Sequence, residues 1–398
     1  MSQTFLCLTS YVKGQEFMRA CAAAGARTLL LTVESLRDAD WPRDILADVF
    51  LMPTLDDASH VLNAVAYLGR TERIDRIVAL DEFDMELAAQ LREHLRVPGM
   101  DATTTRGVRD KLAMRELAAA GGIPVPEFNR IVNHAEIDEF LRRTTGPWVL
   151  KPRSQASAIG IRKIREAHEL WPILESLGDM QSHYLVERFI PGDVYHVDGI
   201  VVDGAVRFAD VNRYAQPPFD VMHAGGIFCT ATVPRGSAYE RALLELTARL
   251  VSAASIRNAA IHAEYIRDRE SGTFNFLEVA ARVGGAHIAE MVEAATGLNL
   301  WREWARLELA RARGEAYLLP EVRKEHAGVL ISLARQEWPD TSAYDDAEIV
   351  WRMRKRHHAG LVVAAPAAGR VHELLQQYLH RFQHDFHASL PAPERATD

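Results

Sequence analysis

The chain has 398 residues, 48% apolar and 25% charged, the proportions of a globular protein and not of a disordered chain, a collagen or a disulfide scaffold. Its length predicts two or three domains, and a formal charge of -8 with a pI near 6.1 excludes a global basic footprint for nucleic acid. Cys7, Cys21 and Cys229 fit no zinc spacing, MSQTFLCLTSYVKG has no leader pattern, and no apolar run nears a membrane span, so the expectation is a cytoplasmic protein with no membrane partner.

The first hundred residues alternate. Thr4–Thr9, Arg27–Val33, Asp48–Met52 and Ile74–Leu80 read as strands; Gln15–Ala24, Ala58–Leu68 and Met85–Leu95 have helical periodicity. Alternation implies parallel pairing through helical crossovers, hence an N-terminal parallel-sheet α/β domain over 1–104. After the first strand the chain reads SYVKGQ, without the GxGxxG that grips a pyrophosphate. Asp81, Glu82 and Asp84 open a helix and are expected to cap it and oppose its dipole; facing a cleft is the alternative.

A boundary falls at VPGMDATTT, residues 97–105. A helix is predicted over Arg106–Ala120, ending at Gly121-Gly122, and then an extended Ile123-Pro124-Val125-Pro126. From Trp148 to Phe208 short strands come in hairpin-like pairs, with a tight turn at Asp203-Gly204. Residues 239–256 read as a helix, two strands flank Glu270-Ser271-Gly272, and Ala286–Ala312 reads as one long helical stretch. Residues 321–398 combine strands with a closing helix, Arg370–Phe386, as a small α+β segment. The fold class is therefore α/β in the first domain and α+β beyond it.

Only six of the 46 cations are lysine: Lys13, Lys111, Lys151, Lys163, Lys324 and Lys355. Where arginine serves as the general cation, a lysine marks a place for a compact ammonium, a common phosphate partner. Chance clustering is the plain alternative. Lys151 ends a strand, and the small-residue turn Ser154–Gly160 follows, with a strand returning at Ile161–Ile164. Its amides, with the Ser154 and Ser157 hydroxyls, can fold over phosphates; an ordinary exposed hairpin is the alternative. Glu187-Arg188-Phe189-Ile190 joins two strands, and its backbone can read an adenine edge, with Asp193 beyond it to hold ribose hydroxyls. Glu264 and Glu278 lie on two strands around one turn. Glu278 sits among apolar neighbours, where an unpaired carboxylate is costly, and the two acids can share a hard cation. Arg282 follows four residues on, and a Glu278–Arg282 salt bridge is the competing reading. Arg213 opens a long loop leading to His223, Gly225 and Gly226; an arginine there suits a substrate carboxylate, and a histidine suits orientation or proton removal. His196 and Asp198 share one strand face by period two.

Taken in order, Asp110-Lys111, Leu150-Lys151-Pro152, the linker from Glu187 to Asp193, and Glu264, Glu278 and Arg282 resemble the ATP-grasp superfamily over about residues 105–320. IPGDVYHVDGIV and FLEVAARVGG are most similar to its L-amino acid ligase and biotin-carboxylase-like branches. The resemblance implies a two-lobed domain, the small lobe near 125–190 and the large near 191–320. It implies ATP with Mg2+ or Mn2+ as cofactors. Lys111 and Lys151 would hold phosphates under the loop of Ser154 and Ser157, and Glu187, Arg188, Phe189 and Ile190 would hold adenine, with ribose on Asp193. Glu264 and Glu278 would bind the metal, Arg282 and Lys151 would serve the chemistry, and Arg213, His223, Gly225 and Gly226 would meet substrate. The implied activity is ligation of a carboxylate to an amine, amino acids foremost, through an acyl phosphate with release of ADP and phosphate. No nucleic acid partner is implied, and a homodimer is compatible. A carboxyphosphate-forming carboxylase, a purine-pathway-type enzyme and a nucleotide-binding regulator without turnover are the alternatives. Two departures stand out: the hairpin keeps a single glycine, Gly160, and Ala280 stands where the family often has an asparagine ligand; His262, just ahead of Glu264, could support that shell instead, with a packed histidine as the alternative.

Overall fold

A computed structural model describes residues 2–156 and 159–389. Strand β1 (Thr4–Thr9) is buried at every residue, as a strand covered on both faces must be. It lies between β2 (Arg27–Val33) and β4 (Arg76–Ala79), with β3 (Asp48–Met52) outermost, in a parallel sheet of order β3-β2-β1-β4. Helix α1 (Gln15–Ala23) crosses from β1 to β2 and α2 (Ala58–Leu68) from β3 to β4, and α3 (Met85–Leu95) follows the last strand.

The acids after β4 do not cap α3. Asp84 stands at its N-cap without a capping bond and accepts instead from the Ser10 amide and hydroxyl at 2.7 and 2.5 Å. Asp81 pairs with Lys13 at 2.5 Å. The loop lies beside the C-terminal ends of parallel strands, where an α/β sheet turns side chains toward a crevice.

The helix expected over 106–120 is two helices, α4 (Ala102–Gly107) and α5 (Lys111–Ala120). Asp110 restarts the chain as N-cap of α5, accepting from the Leu112 amide at 2.9 Å. The small lobe is an antiparallel sheet of order β5-β8-β6-β7, formed by β5 (Phe128–Arg130), β6 (Trp148–Pro152), β7 (Arg162–Ile164) and β8 (Tyr184–Arg188). Helices α6 (His134–Arg143) and α7 (Leu170–Leu177) cover it, packing Phe140 and Leu174 onto Leu150 and Val186.

The large lobe contributes β9 (Gly192–Val202), β10 (Ala205–Tyr214), helix α8 (Pro218–Ala224), β11 (Phe228–Thr232), α9 (Ala238–Ala253), β12 (Ala259–Asp268) and β13 (Phe274–Ala280). The stretch read as one helix over 286–312 breaks into α10 (Ile288–Thr296) and α11 (Leu300–Arg313). Gly297 takes φ 82° there, and Asn299 caps the second helix. The sheet runs β13-β12-β9-β10-β11-β14-β16-β15. Its last three strands, β14 (His326–Leu333), β15 (Ile349–Arg352) and β16 (His358–Ala365), come from the C-terminal segment, closed by α12 (Ala368–Asp385). One core joins the parts: Phe5 and Phe17 pack with Ile200, Trp304 and Val362. Among the described residues, no helix is long and apolar enough to cross a membrane.

Candidate active site

A cavity of about 820 Å3 is lined from the N-terminal domain, both lobes and the C-terminal strands. Its carboxylates come from paired strands. Glu264 of β12 stands in register with Glu278 of β13, and one position further along the same face His262 stands opposite Ala280. All but Ala280 line the cavity. Tyr214 of β10 donates its hydroxyl to Glu264 Oε1 at 2.7 Å, and His262 Nε2 lies 3.5 Å from the same oxygen. Burial opposes the charge on Glu264, but His262 and the Tyr214 hydroxyl bring its pKa below the usual value. Two carboxylates on adjacent strands fit a hard divalent cation.

Behind them Asp198 is wholly buried. Its two oxygens accept from His196 Nδ1 at 2.5 Å and His262 Nδ1 at 2.8 Å, and His196 Nε2 reaches the Thr230 hydroxyl at 2.7 Å. Burial disfavours both charges of the pair. The imidazoles nevertheless hold Asp198 far below the carboxylate range, and Asp198 and Glu264 raise His262 to about 10.

The lysines are tied to acids. Lys111 Nζ, at the start of α5, donates to the Gln155 carbonyl at 2.6 Å and pairs with Glu278 at 2.9 Å. It thus joins the hairpin after β6 to the carboxylate strand. Lys151 pairs with buried Glu187, which also accepts from Arg115 Nε at 3.0 Å. Burial lowers the pKa of Lys151, and although burial also disfavours a charged Glu187, Arg115 and Lys151 hold it ionised. The Glu187 side chain therefore faces Lys151, leaving only its linker backbone for an adenine edge. In that linker Arg188 N donates to Glu127 O at 2.8 Å and Phe189 N to Pro147 O at 2.9 Å. Among the described residues, the Ile190 amide has no backbone partner. Phe189 carries Lys163 Nζ 3.7 Å above its ring.

Arg282 does not pair with Glu278. Its guanidinium binds Glu82 Oε2 at 2.6 Å and the Val283 carbonyl at 2.8 Å. Glu82 takes Arg109 on its other oxygen, also at 2.6 Å, and Arg109 reaches the Ser154 carbonyl at 2.7 Å. Burial works against Glu82, but Arg282 and Arg109 hold its pKa at about 2.

Of the residues expected at the site, Lys111, Lys151, Glu187, Arg188, Phe189, Ile190, Glu264, Glu278 and Arg282 line this cavity. Asp193 and Arg213 do not line it. They pair with each other at 2.9 Å between cavity-lining Gly192 and Val194 on one side and Tyr214 on the other. Ser154 contributes its carbonyl and turns its side chain to solvent. Gly225 and Gly226 follow α8, whose Phe219, Val221 and Met222 face the cavity while the glycines do not. Ser157 and the His223 side chain lie outside the described residues. Sequence reasoning missed Arg109, Arg115 and Tyr214, and it read Glu82 first as a helix cap, with a cleft only as the alternative. Arg115 was findable as the residue one helical turn beyond Lys111.

The small lobe thus carries Lys151 beside Glu187, and Lys111 of α5 meets Glu278 of the large lobe. The sequence profile of the ATP-grasp domain matches residues 144–290, so the chain carries an ATP-grasp domain. It is 22% identical over 269 residues to the L-arginine-specific L-amino acid ligase of Bacillus subtilis, covering 66% of this chain and 64% of that protein. The chain thus spans less than two-thirds of the length of the curated relatives it matches. The crystal structure of L-amino acid ligase from Bacillus licheniformis superposes with TM-score 0.78 at 17% identity, over 97% of this chain and 98% of that one. N5-carboxyaminoimidazole ribonucleotide synthetase from Thermus thermophilus gives 0.73 at 16%, over 97% and 99%. At these identities the two structures establish the shared fold.

Proposed function

We propose that the protein is an ATP-dependent ligase that joins a carboxylate to an amine, amino acids foremost, through an acyl phosphate, releasing ADP and phosphate. The observation that carries this reading is Lys111, which ties the hairpin after β6 to Glu278, so loop, lysine and paired acids meet in one cavity. A Mg2+ or Mn2+ ion held by Glu264 and Glu278 would neutralise phosphate charge. Lys151, oriented by Glu187 and Arg115, would take phosphate oxygens under the hairpin with Lys111. Adenine would stack at the linker, its edge on the Ile190 amide, and Asp193 would exchange Arg213 for ribose hydroxyls.

Arg282, fixed by Glu82, would meet the transferring phosphoryl oxygens, where charge-assisted contacts count most. An acyl phosphate hydrolyses, so water must be kept out. Helix α8 lines the cavity with Phe219, Val221 and Met222, and the segment through His223, Gly225 and Gly226 would close over substrate. Similarity to the L-arginine-specific L-amino acid ligase of Bacillus subtilis supports amino acids as the substrate class.

The test is a pool of amino acids with ATP and Mg2+. ADP and phosphate should appear, and hydroxylamine in place of the amine should yield a hydroxamate. AMP and pyrophosphate would mean attack at the α-phosphate and would overturn the mechanism. ADP release that requires bicarbonate would assign a carboxylase, and no nucleotide turnover a regulator.

A further inference from the structure

We infer that His262 is a third ligand of the divalent cation, adding an imidazole nitrogen to the carboxylates and giving the site a preference for Mn2+ over Mg2+. The inference rests on the reading of Glu264 and Glu278 as the metal acids.

Strand register comes first. His262 and Ala280 form the next pair along the face that carries Glu264 and Glu278. The methyl group of Ala280 has no donor atom, and His262 lines the cavity beside it. His262 Nε2 is 3.5 Å from Glu264 Oε1. That is long for a hydrogen bond, and neighbouring donors on an octahedral ion at about 2.1 Å lie roughly 3.0 Å apart, so a shift of about half an ångström brings both onto one ion.

The ring of His262 is also oriented for a ligand. His262 Nδ1 faces Asp198 Oδ1 at 2.8 Å, so that nitrogen keeps its hydrogen; Nε2 is turned to the cavity, and a cation bound there would displace the second proton that Asp198 and Glu264 otherwise hold on the ring. A carboxylate behind a histidine is the arrangement that orients a metal-binding imidazole and raises its basicity. Asp198 is itself fixed by His196, and His196 by Thr230. Backbone packing keeps the pair in place: a Cβ at Gly284 would lie 2.8 Å from Asp198 Oδ1 and 3.0 Å from His262 Nδ1. The ligand atoms of His196, Asp198 and His262 lie within 4.8 Å of one another. However, both His196 nitrogens are already taken, by Asp198 and Thr230. The place for an ion is therefore at His262 Nε2, in the cavity, and not among those three.

Third is the chemistry of the donors. Magnesium favours all-oxygen octahedra, whereas imidazole suits later divalent metals. Of the two ions, Mn2+ is the transition metal and accepts one nitrogen among oxygens more readily than Mg2+ does, so the mixed set discriminates against Mg2+.

The experiment is pulsed electron paramagnetic resonance on the full chain with Mn2+ and a non-hydrolysable ATP analogue. A 14N coupling should appear and should change to 15N on protein labelled at histidine. In His262→Gln it should vanish, with Mn2+ affinity reduced at least about tenfold and Mg2+ affinity changed less than about threefold. Bound Mn2+ without histidine coupling in the wild-type protein would overturn the inference while leaving the acids' role intact, and that measurement needs no variant. Mn2+ binding untouched by Glu278→Gln would remove the metal reading of the acids and this inference with it.

Discussion

Glu82 shows what one buried side chain can hold together. Its carboxylate lies between Arg109 and Arg282, so it joins the N-terminal domain to the arginine proposed to serve phosphoryl transfer. Replacing one partner of a buried ion cluster leaves unpaired charge behind, at about 3–5 kcal/mol. Glu82→Ala should therefore lower the urea midpoint sharply; a loss below about 1 kcal/mol would mean that water already satisfies both guanidinium groups. Its folded pKa of about 2 lies below the ordinary 4.5. The stability it contributes is thus present above the unfolded value and lost as pH falls toward 2. Glu278→Gln tests a different role. Shape is kept and charge removed, so turnover should fall by orders of magnitude, with metal titration showing the lost affinity. Lys111, Lys151, Glu264 and Glu278 were legible because a lysine in an arginine-rich chain and an acid in an apolar strand each contradict their surroundings. Glu82 was not, because an acid ahead of a helix reads as a cap, and its two arginine partners lie 27 and 200 residues away.

At the scale of elements, the loop between β4 and α3 carries acids of opposite linkage. Asp84 is pushed up to about 6, chiefly by burial, against the pull of its Ser10 bonds. A raised carboxyl pKa contributes stability that is complete below the unfolded value near 3.8 and is lost as pH rises through 6. The loss from this group amounts to about 3 kcal/mol at most. Unfolding of Asp84→Asn measured between pH 4 and 7 should show a stability profile shifted upward with pH relative to the wild-type protein. Parallel profiles would mean that Asp84 titrates normally. Most elements were legible from periodicity, and the parallel N-terminal sheet followed from alternation alone. The two helix breaks, before Lys111 and after Thr296, were not. Each depends on a side-chain cap, Asp110 or Asn299, that satisfies amides only once the chain has turned. The hinge failed in another way: periodicity located the linker, but not that neighbouring backbone already takes the Arg188 and Phe189 amides.

For the whole molecule, the decisive feature is that the large sheet does not stop at residue 320. From the sequence, residues 321–398 read as a small α+β segment of their own. In the fold, β14 pairs with β11, Phe228 opposite Ile331 and Ala231 opposite Gly328, and β16 and β15 follow outward. Ala327, Val329 and Val362 enter the same core as Phe5, Phe17 and Trp304. The C-terminal strands also supply Ile331, Met353 and His358 to the cavity. A chain ending at Pro320 would expose β11 as an unpaired edge, uncover the face of α10 that packs on β14 and β16, and open one wall of the cavity. Unpaired edges and bare apolar faces invite association. The 1–320 fragment should therefore lack a sigmoidal urea transition, bind an apolar dye and fail to retain an ATP analogue. If it unfolds cooperatively and still binds the analogue, residues 321–398 are a separable appendage and the core is not continuous.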